Sequence, residues 1–150
     1  MQDVAARILR EFRRIAVVGI SANWYRPSYF AAKYMQDHGY QIFPVNPNYA
    51  EVLGRKCYPT VAAIPQSVDI VDCFRKSTEM VPLAQEAVAT GAKVLWMQLG
   101  IRNDEAAAIA SAAGLEVVMN HCVKIEHARI LGGLNWAGVN TGVISSRRPV

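Results

Sequence analysis

The chain has 150 residues, 52% of them hydrophobic and 19% charged, which suits one compact domain with a sizeable core and leaves no room for a second. Its net charge of +4 is scattered without a long Lys/Arg run, so nucleic acid is not the favoured partner. Cys57, Cys73 and Cys122 are odd in number and never paired as C-x-x-C, which argues against a disulfide framework and a zinc site, and no apolar run approaches the roughly 20 residues that cross a bilayer, so a soluble cytoplasmic protein is expected.

Val4, Ile8, Leu9 and Phe12 recur at helical spacing among charged residues, predicting an amphipathic helix laid on a sheet face or edge. Ile15 to Val18 is a short continuous apolar run ending at Gly19, the form of a central parallel strand buried on both faces. Ser28 to His38 reads as a helix, with Ser28 as N-cap and Gly39 as the stop. Gln41 to Val45 is the second strand, ended by Asn46-Pro47-Asn48. A connection through Tyr58-Pro59-Thr60 and a short helical piece leads to the third strand, Ile70 to Phe74. Met80 to Thr90 is a helix closed by Gly91, Val94 to Met97 a fourth strand, Asp104 to Ala113 a helix closed by Gly114, and Glu116 to Met119 a fifth strand. Strands alternating with helices at this spacing predict right-handed β-α-β units and an α/β fold of three layers, Rossmann-like, with a mainly parallel, doubly wound sheet of about five strands.

In such a sheet ligands sit beyond the carboxyl ends of the strands, near the point where strand order reverses. The segments there are Gly19-Ile20-Ser21-Ala22-Asn23, Asn46-Pro47, Phe74-Arg75-Lys76, Gln98-Leu99-Gly100 and Asn120-His121-Cys122, each polar, glycine-containing or basic directly after an apolar run. The first runs from a buried strand into a helix start, whose amides and dipole attract phosphate. Against the dinucleotide pattern G-x-G-x-x-G, Ser21 and Trp24 replace the second and third glycines, so the usual fingerprint is not met. Ser21 and Ser28 can instead supply hydroxyls and Arg26 a guanidinium fork. The second strand ends without the carboxylate that holds a ribose diol in NAD sites, and Arg55, Lys56, Arg75 and Lys76 lie in or after neighbouring strand-end loops. Cations there suit a nucleotide with an extra ribose phosphate, as in coenzyme A or NADP.

The ordered runs Val17-Val18-Gly19-Ile20-Ser21, Arg26-Pro27-Ser28-Tyr29, Gly39-Tyr40, Pro44-Val45-Asn46-Pro47, Asp69 to Arg75, Lys93 to Gly100 and Cys122 to His127 together resemble the small stand-alone CoA-binding domain family. That family is similar to the N-terminal CoA-binding domain of the succinyl-CoA synthetase α subunit. The resemblance implies coenzyme A or an acyl-CoA as ligand, with Gly19 to Ser28 at the phosphates, Val45-Asn46-Pro47 and Phe74-Arg75-Lys76 flanking adenosine, and Gln98-Leu99-Gly100 bordering the pantetheine path. The synthetase's later domain with its phosphorylated histidine has no counterpart here, so its ligase reaction is not expected.

Other chemistry-bearing residues have plainer readings. Cys122 is a candidate thiol nucleophile or a partner for the CoA thiol, but cysteine is commonly a small buried residue. In Lys124-Ile125-Glu126-His127 adjacent residues do not face each other on a helix, so a solvated or capping helix is expected. Asp69 and Asp72, three apart on a strand, fall on opposite faces and form no acid/base pair; Asp72, inside an apolar run, should find a hydrogen bond or a strand end. Trp96 and Phe74 should pack in the core, with Phe74 close enough to a strand end to touch adenine. No metal or catalytic motif is recognised. The sequence reads as a binding module for CoA or acyl-CoA, acting as a homodimer or with a partner protein, with an NADP-dependent oxidoreductase or a thiol-redox protein using Cys122 as the alternatives.

Overall fold

The computed structural model describes residues 2–130. Five strands form one parallel sheet: β1 (Arg14–Val18), β2 (Gln41–Val45), β5 (Ile70–Cys73), β6 (Val94–Met97) and β7 (Glu116–Val118), in the order β2-β1-β5-β6-β7. A two-residue hairpin, β3 (Glu51–Val52) with β4 (Arg55–Lys56), stands apart from it. This is the doubly wound order whose reversal lies between β1 and β5, and ligands of such sheets bind beyond the strand ends at that reversal. The expected parallel α/β architecture is therefore the one observed.

Alternation along each strand sends side chains into two cores. Ile15, Val17, Ile70, Val94 and Trp96 face α1 (Gln2–Glu11), α2 (Pro27–Asp37) and α5 (Val123–Ile130). Ala16, Val18, Val71, Cys73, Leu95 and Met97 face α3 (Met80–Ala89) and α4 (Asp104–Ala112). Both faces being covered, the strands read as continuous apolar runs. Pro44 is tolerated in β2 because β2 is the sheet edge, where its carbonyl accepts from Tyr58 N and no ladder donor is needed on that side.

Two expectations about helices need correcting. Ser28 does not cap its helix: α2 starts one residue earlier, at Pro27, whose fixed φ suits a first turn, and Arg26 is the N-cap residue without a side-chain cap bond. The helix from Val123 is not a solvated one. It packs against α1 and α2, which buries Glu126 and Arg129 as an ion pair of 2.8 Å and buries His127, whose Nδ1 is 2.9 Å from Tyr34 Oη.

Candidate functional site

Two cavities open side by side at the carboxyl end of the sheet. The first, about 380 Å3, is lined by Gly19, Ile20, Ser21, Asn23, Arg26, Pro27, Ser28, Asn46, Tyr49 and Phe74. The second, about 480 Å3, is lined by Pro27, Phe74, Arg75, Gln98, Leu99, Ile101, Cys122 and Ile125. Pro27 and Phe74 belong to both walls, so a polar chamber and an apolar one adjoin.

The polar chamber is built at the switch between β1 and β5. Gly19 turns with φ +86°, and a Cβ there would run into the Phe74 carbonyl and lie 3.2 Å from Arg75 Cδ. Only glycine lets the ends of the two strands close this tightly. Beyond it, Ser21 N donates to Ser28 Oγ at 2.9 Å and Asn23 N donates to Ser21 Oγ at 3.1 Å. The Ser28 hydroxyl thus orders the loop as an acceptor and keeps its own hydrogen to donate. Asn46 Nδ2 donates to Ile20 O at 2.9 Å while Asn46 Oδ1 accepts from Asn48 N at 2.9 Å, tying the loops after β1 and β2 together. The uncapped start of α2 gives onto this chamber beside Arg26. Pro27 carries no N–H and the Tyr29 and Phe30 amides both donate to Arg26 O, so the Ser28 amide, the helix dipole and a guanidinium are what α2 offers an anionic oxygen cluster.

The apolar chamber has a polar element in its floor. Asp72 and Gln98 follow the same alternation as Trp96 and so meet on the α5 side of the sheet; both are buried. Gln98 Nε2 donates to Asp72 Oδ1, and Gln98 Oε1 accepts from Val123 N at 3.4 Å. Burial pushes the Asp72 carboxyl up to about 7, with the Gln98 bond pulling it down. The same desolvation raises the Cys122 thiol, opposed by the backbone amides of Ile125 and Lys124. A raised thiol is a poorer source of thiolate at neutral pH.

Of the residues singled out from the sequence, Gly19, Ile20, Ser21, Asn23, Arg26, Ser28, Asn46 and Phe74 line the polar chamber, and Phe74, Arg75 and Gln98 line the apolar one. Ala22, Tyr29, Val45, Pro47, Lys76 and Gly100 line neither. Val45 is spent on the core, Tyr29 packs against it, and Gly100 N donates to Asn120 Oδ1 at 2.7 Å. The cations are less concentrated than their sequence positions suggest. Arg75 bonds Glu79 at 3.4 Å, and Arg55 and Lys56 sit exposed on the β3-β4 hairpin, with Lys56 over the Tyr58 ring. Asp69 lies at the opposite end of β5, where its Oδ2 accepts from Arg14 N. Trp96 is buried as expected and donates Nε1 to His121 O at 2.8 Å. Sequence reasoning missed Tyr49, Ile101 and Ile125 as wall residues. Tyr49 had one available signal, its place just after the turn Asn46-Pro47-Asn48.

Among the described residues no cluster of His, Cys, Asp and Glu suits a metal, and no helix is long and apolar enough to cross a membrane. A family model described as CoA binding domain matches residues 13–128. An uncharacterized protein of Bacillus subtilis, YneT, is 42% identical over 121 residues, covering 81% of this chain and 90% of that one. A hypothetical protein from Pyrococcus horikoshii superposes with a TM-score of 0.85 at 42% identity, covering 88% of this chain and 93% of that one. The acetate–CoA ligase (ADP-forming) II of Archaeoglobus fulgidus is 27% identical over 127 residues, which are 82% of this chain but 19% of the ligase. The chain belongs to the CoA-binding domain family.

Proposed function

We propose that, as a member of that family, this chain binds coenzyme A or an acyl-CoA as a single binding domain without chemistry of its own. The pyrophosphate lies in the polar chamber and the pantetheine arm passes Pro27 and Phe74 into the apolar one. The observation that carries this reading is the adjacency of the two chambers: one is walled by an uncapped helix start with Arg26, the other largely by carbon, and Pro27 and Phe74 line both. The matching ends of CoA are a highly charged nucleotide and a neutral thiol-bearing arm. The adenosine packs against Phe74 and Tyr49 at the rim, since a flat base gains from aromatic contact.

A binding role is supported by how the chemistry-bearing groups are occupied. The Cys122 thiol is held up by burial, His127 is engaged by Tyr34, and Asp72 is engaged by Gln98. The physiological effect then depends on a partner protein or a second copy that reads the occupied state.

Calorimetry with CoA, pantetheine and NADPH tests the reading. CoA should bind at least about tenfold more tightly than pantetheine, because charge-assisted contacts to the phosphates are lost with the nucleotide. NADPH, which carries a pyrophosphate but no pantetheine arm, should bind more weakly than CoA. Equal affinity for CoA and pantetheine, or a preference for NADPH, contradicts it.

A further inference from the structure

The apolar chamber is larger and more apolar than a bare thiol end requires. Phe74, Ile101 and Ile125 contribute carbon to its walls, and about 480 Å3 leaves room for a short acyl chain beyond the pantetheine arm that enters it. Water left in such a space finds few partners, so a ligand that displaces it with carbon gains affinity.

The floor is selective in another way. Gln98 has its amide orientation dictated from both ends: Nε2 donates to Asp72 Oδ1 and Oε1 accepts from Val123 N. Turning the amide over would set its carbonyl against the carboxyl and its NH2 against a backbone N–H, so this arrangement is the stable one. Nε2 carries two hydrogens, and only one is used by Asp72. Among the described residues none accepts the second, although Gln98 is a wall residue of the chamber. A buried amide hydrogen without an acceptor is costly, and the cost is relieved by a ligand that presents a carbonyl oxygen. The thiol of free CoA presents none and the amide carbonyls of the pantetheine arm lie further back along it, so a thioester is the form with a carbonyl at the arm's tip.

Building on the CoA reading, we propose that the ligand is an acyl-CoA thioester, its acyl chain filling the apolar chamber and its carbonyl accepting from Gln98 Nε2. Gln98 is then the specificity-determining residue, and Asp72, which does not touch the ligand, is the positioning residue that aims it.

The test is calorimetry of the wild-type chain with CoA, acetyl-CoA, butyryl-CoA and S-butyl-CoA, a thioether with the same four-carbon chain and no carbonyl. Affinity should rise from CoA to acetyl-CoA to butyryl-CoA, by about fourfold per buried methylene. Butyryl-CoA should also exceed S-butyl-CoA by about five- to tenfold, the worth of one satisfied hydrogen bond. In Gln98→Leu the advantage of butyryl-CoA over S-butyl-CoA should vanish while the gain with chain length persists. Because the wild-type comparison changes only the ligand, it stands even if Gln98→Leu fails to fold. CoA binding with no gain from the acyl chain, or equal affinity for butyryl-CoA and S-butyl-CoA, overturns this proposal and leaves the CoA reading intact. Failure to bind CoA and all its thioesters overturns both.

Discussion

The Phe74 carbonyl oxygen stands where the first side-chain carbon of residue 19 would have to be, so Gly19 is the residue through which β1 and β5 end against one another. The loop after β1 keeps its path over the polar chamber because of this contact. In Gly19→Ala the new methyl meets backbone that cannot swing aside, at a positive φ that already disfavours any side chain. We expect a loss of at least about 3 kcal/mol in denaturant unfolding, combining backbone strain with overpacking. Gly114→Ala is the control: its φ is +93° but the space around it is open, so the cost should be about 1 kcal/mol, the left-handed penalty alone.

Asp72 makes stability depend on pH in an unusual direction for a carboxyl. In the native state it holds its proton up to about 7, against an ordinary value of 3.8. Between those values the native state binds more protons than the unfolded one, so this group's contribution is fully present below pH 3.8 and is lost as pH rises through 7. Asp72→Asn keeps an acceptor for Gln98 and cannot ionise. Relative to wild type, the variant should gain about 2 to 4 kcal/mol as pH is raised from 4 to 8, measured as the difference between two urea denaturation series. His127, lowered by burial first and by His38 and Arg13 next, runs the other way but is common to both proteins and cancels.

Arg26 is the cation in the wall of the polar chamber. Arg26→Met should leave folding nearly unchanged, since the side chain is exposed, and weaken CoA about 10- to 100-fold, the range of a charge-assisted bond. Pantetheine affinity should not change. A titration at two salt concentrations adds a check, because the variant should lose part of the salt dependence.

Asn46 joins two loops rather than touching a ligand alone. Asn46→Ala removes the bonds to Ile20 O and Asn48 N, and should cost about 1 to 3 kcal/mol of stability. Asn46→Asp retains the acceptor for Asn48 N but sets a carboxylate in the wall of the polar chamber. Its second carboxylate oxygen also replaces the donor to Ile20 O, so it should be no more stable than Asn46→Ala and the weaker binder of CoA, which thermal unfolding and calorimetry together would measure.

The sheet was legible from the chain because each central strand is an apolar run bounded by a glycine or a polar turn; Gln41–Val45 and Val94–Met97 match residue for residue. Gly19, Ser21 and Arg26 were legible as a loop because they follow such a run. The role of Ser28 was not, because a serine near a helix start signals capping whether or not a proline has moved the start forward by one. Glu126 and His127 read as part of a solvated or capping helix because composition cannot show that α1 and α2 pack against α5. The Asp72–Gln98 pair was out of reach for a similar reason. Its two residues are 26 positions apart and meet only through the register of β5 with β6, which sequence spacing does not encode. The β3-β4 hairpin, two residues a strand, is too short to leave a periodic signature.

In the proposed complex the loop from Gly19 to Ser28, with the Ser28 amide at the start of α2, receives a pyrophosphate. Its most direct test is the backbone amide spectrum of the 15N-labelled chain during titration with CoA and, separately, with pantetheine. CoA should shift the amides of residues 19–26 and Ser28 together with Asn46 and Phe74, and pantetheine should leave that loop largely in place while perturbing Gln98 and Ile125. A loop unmoved by saturating CoA, or moved equally by both ligands, contradicts it.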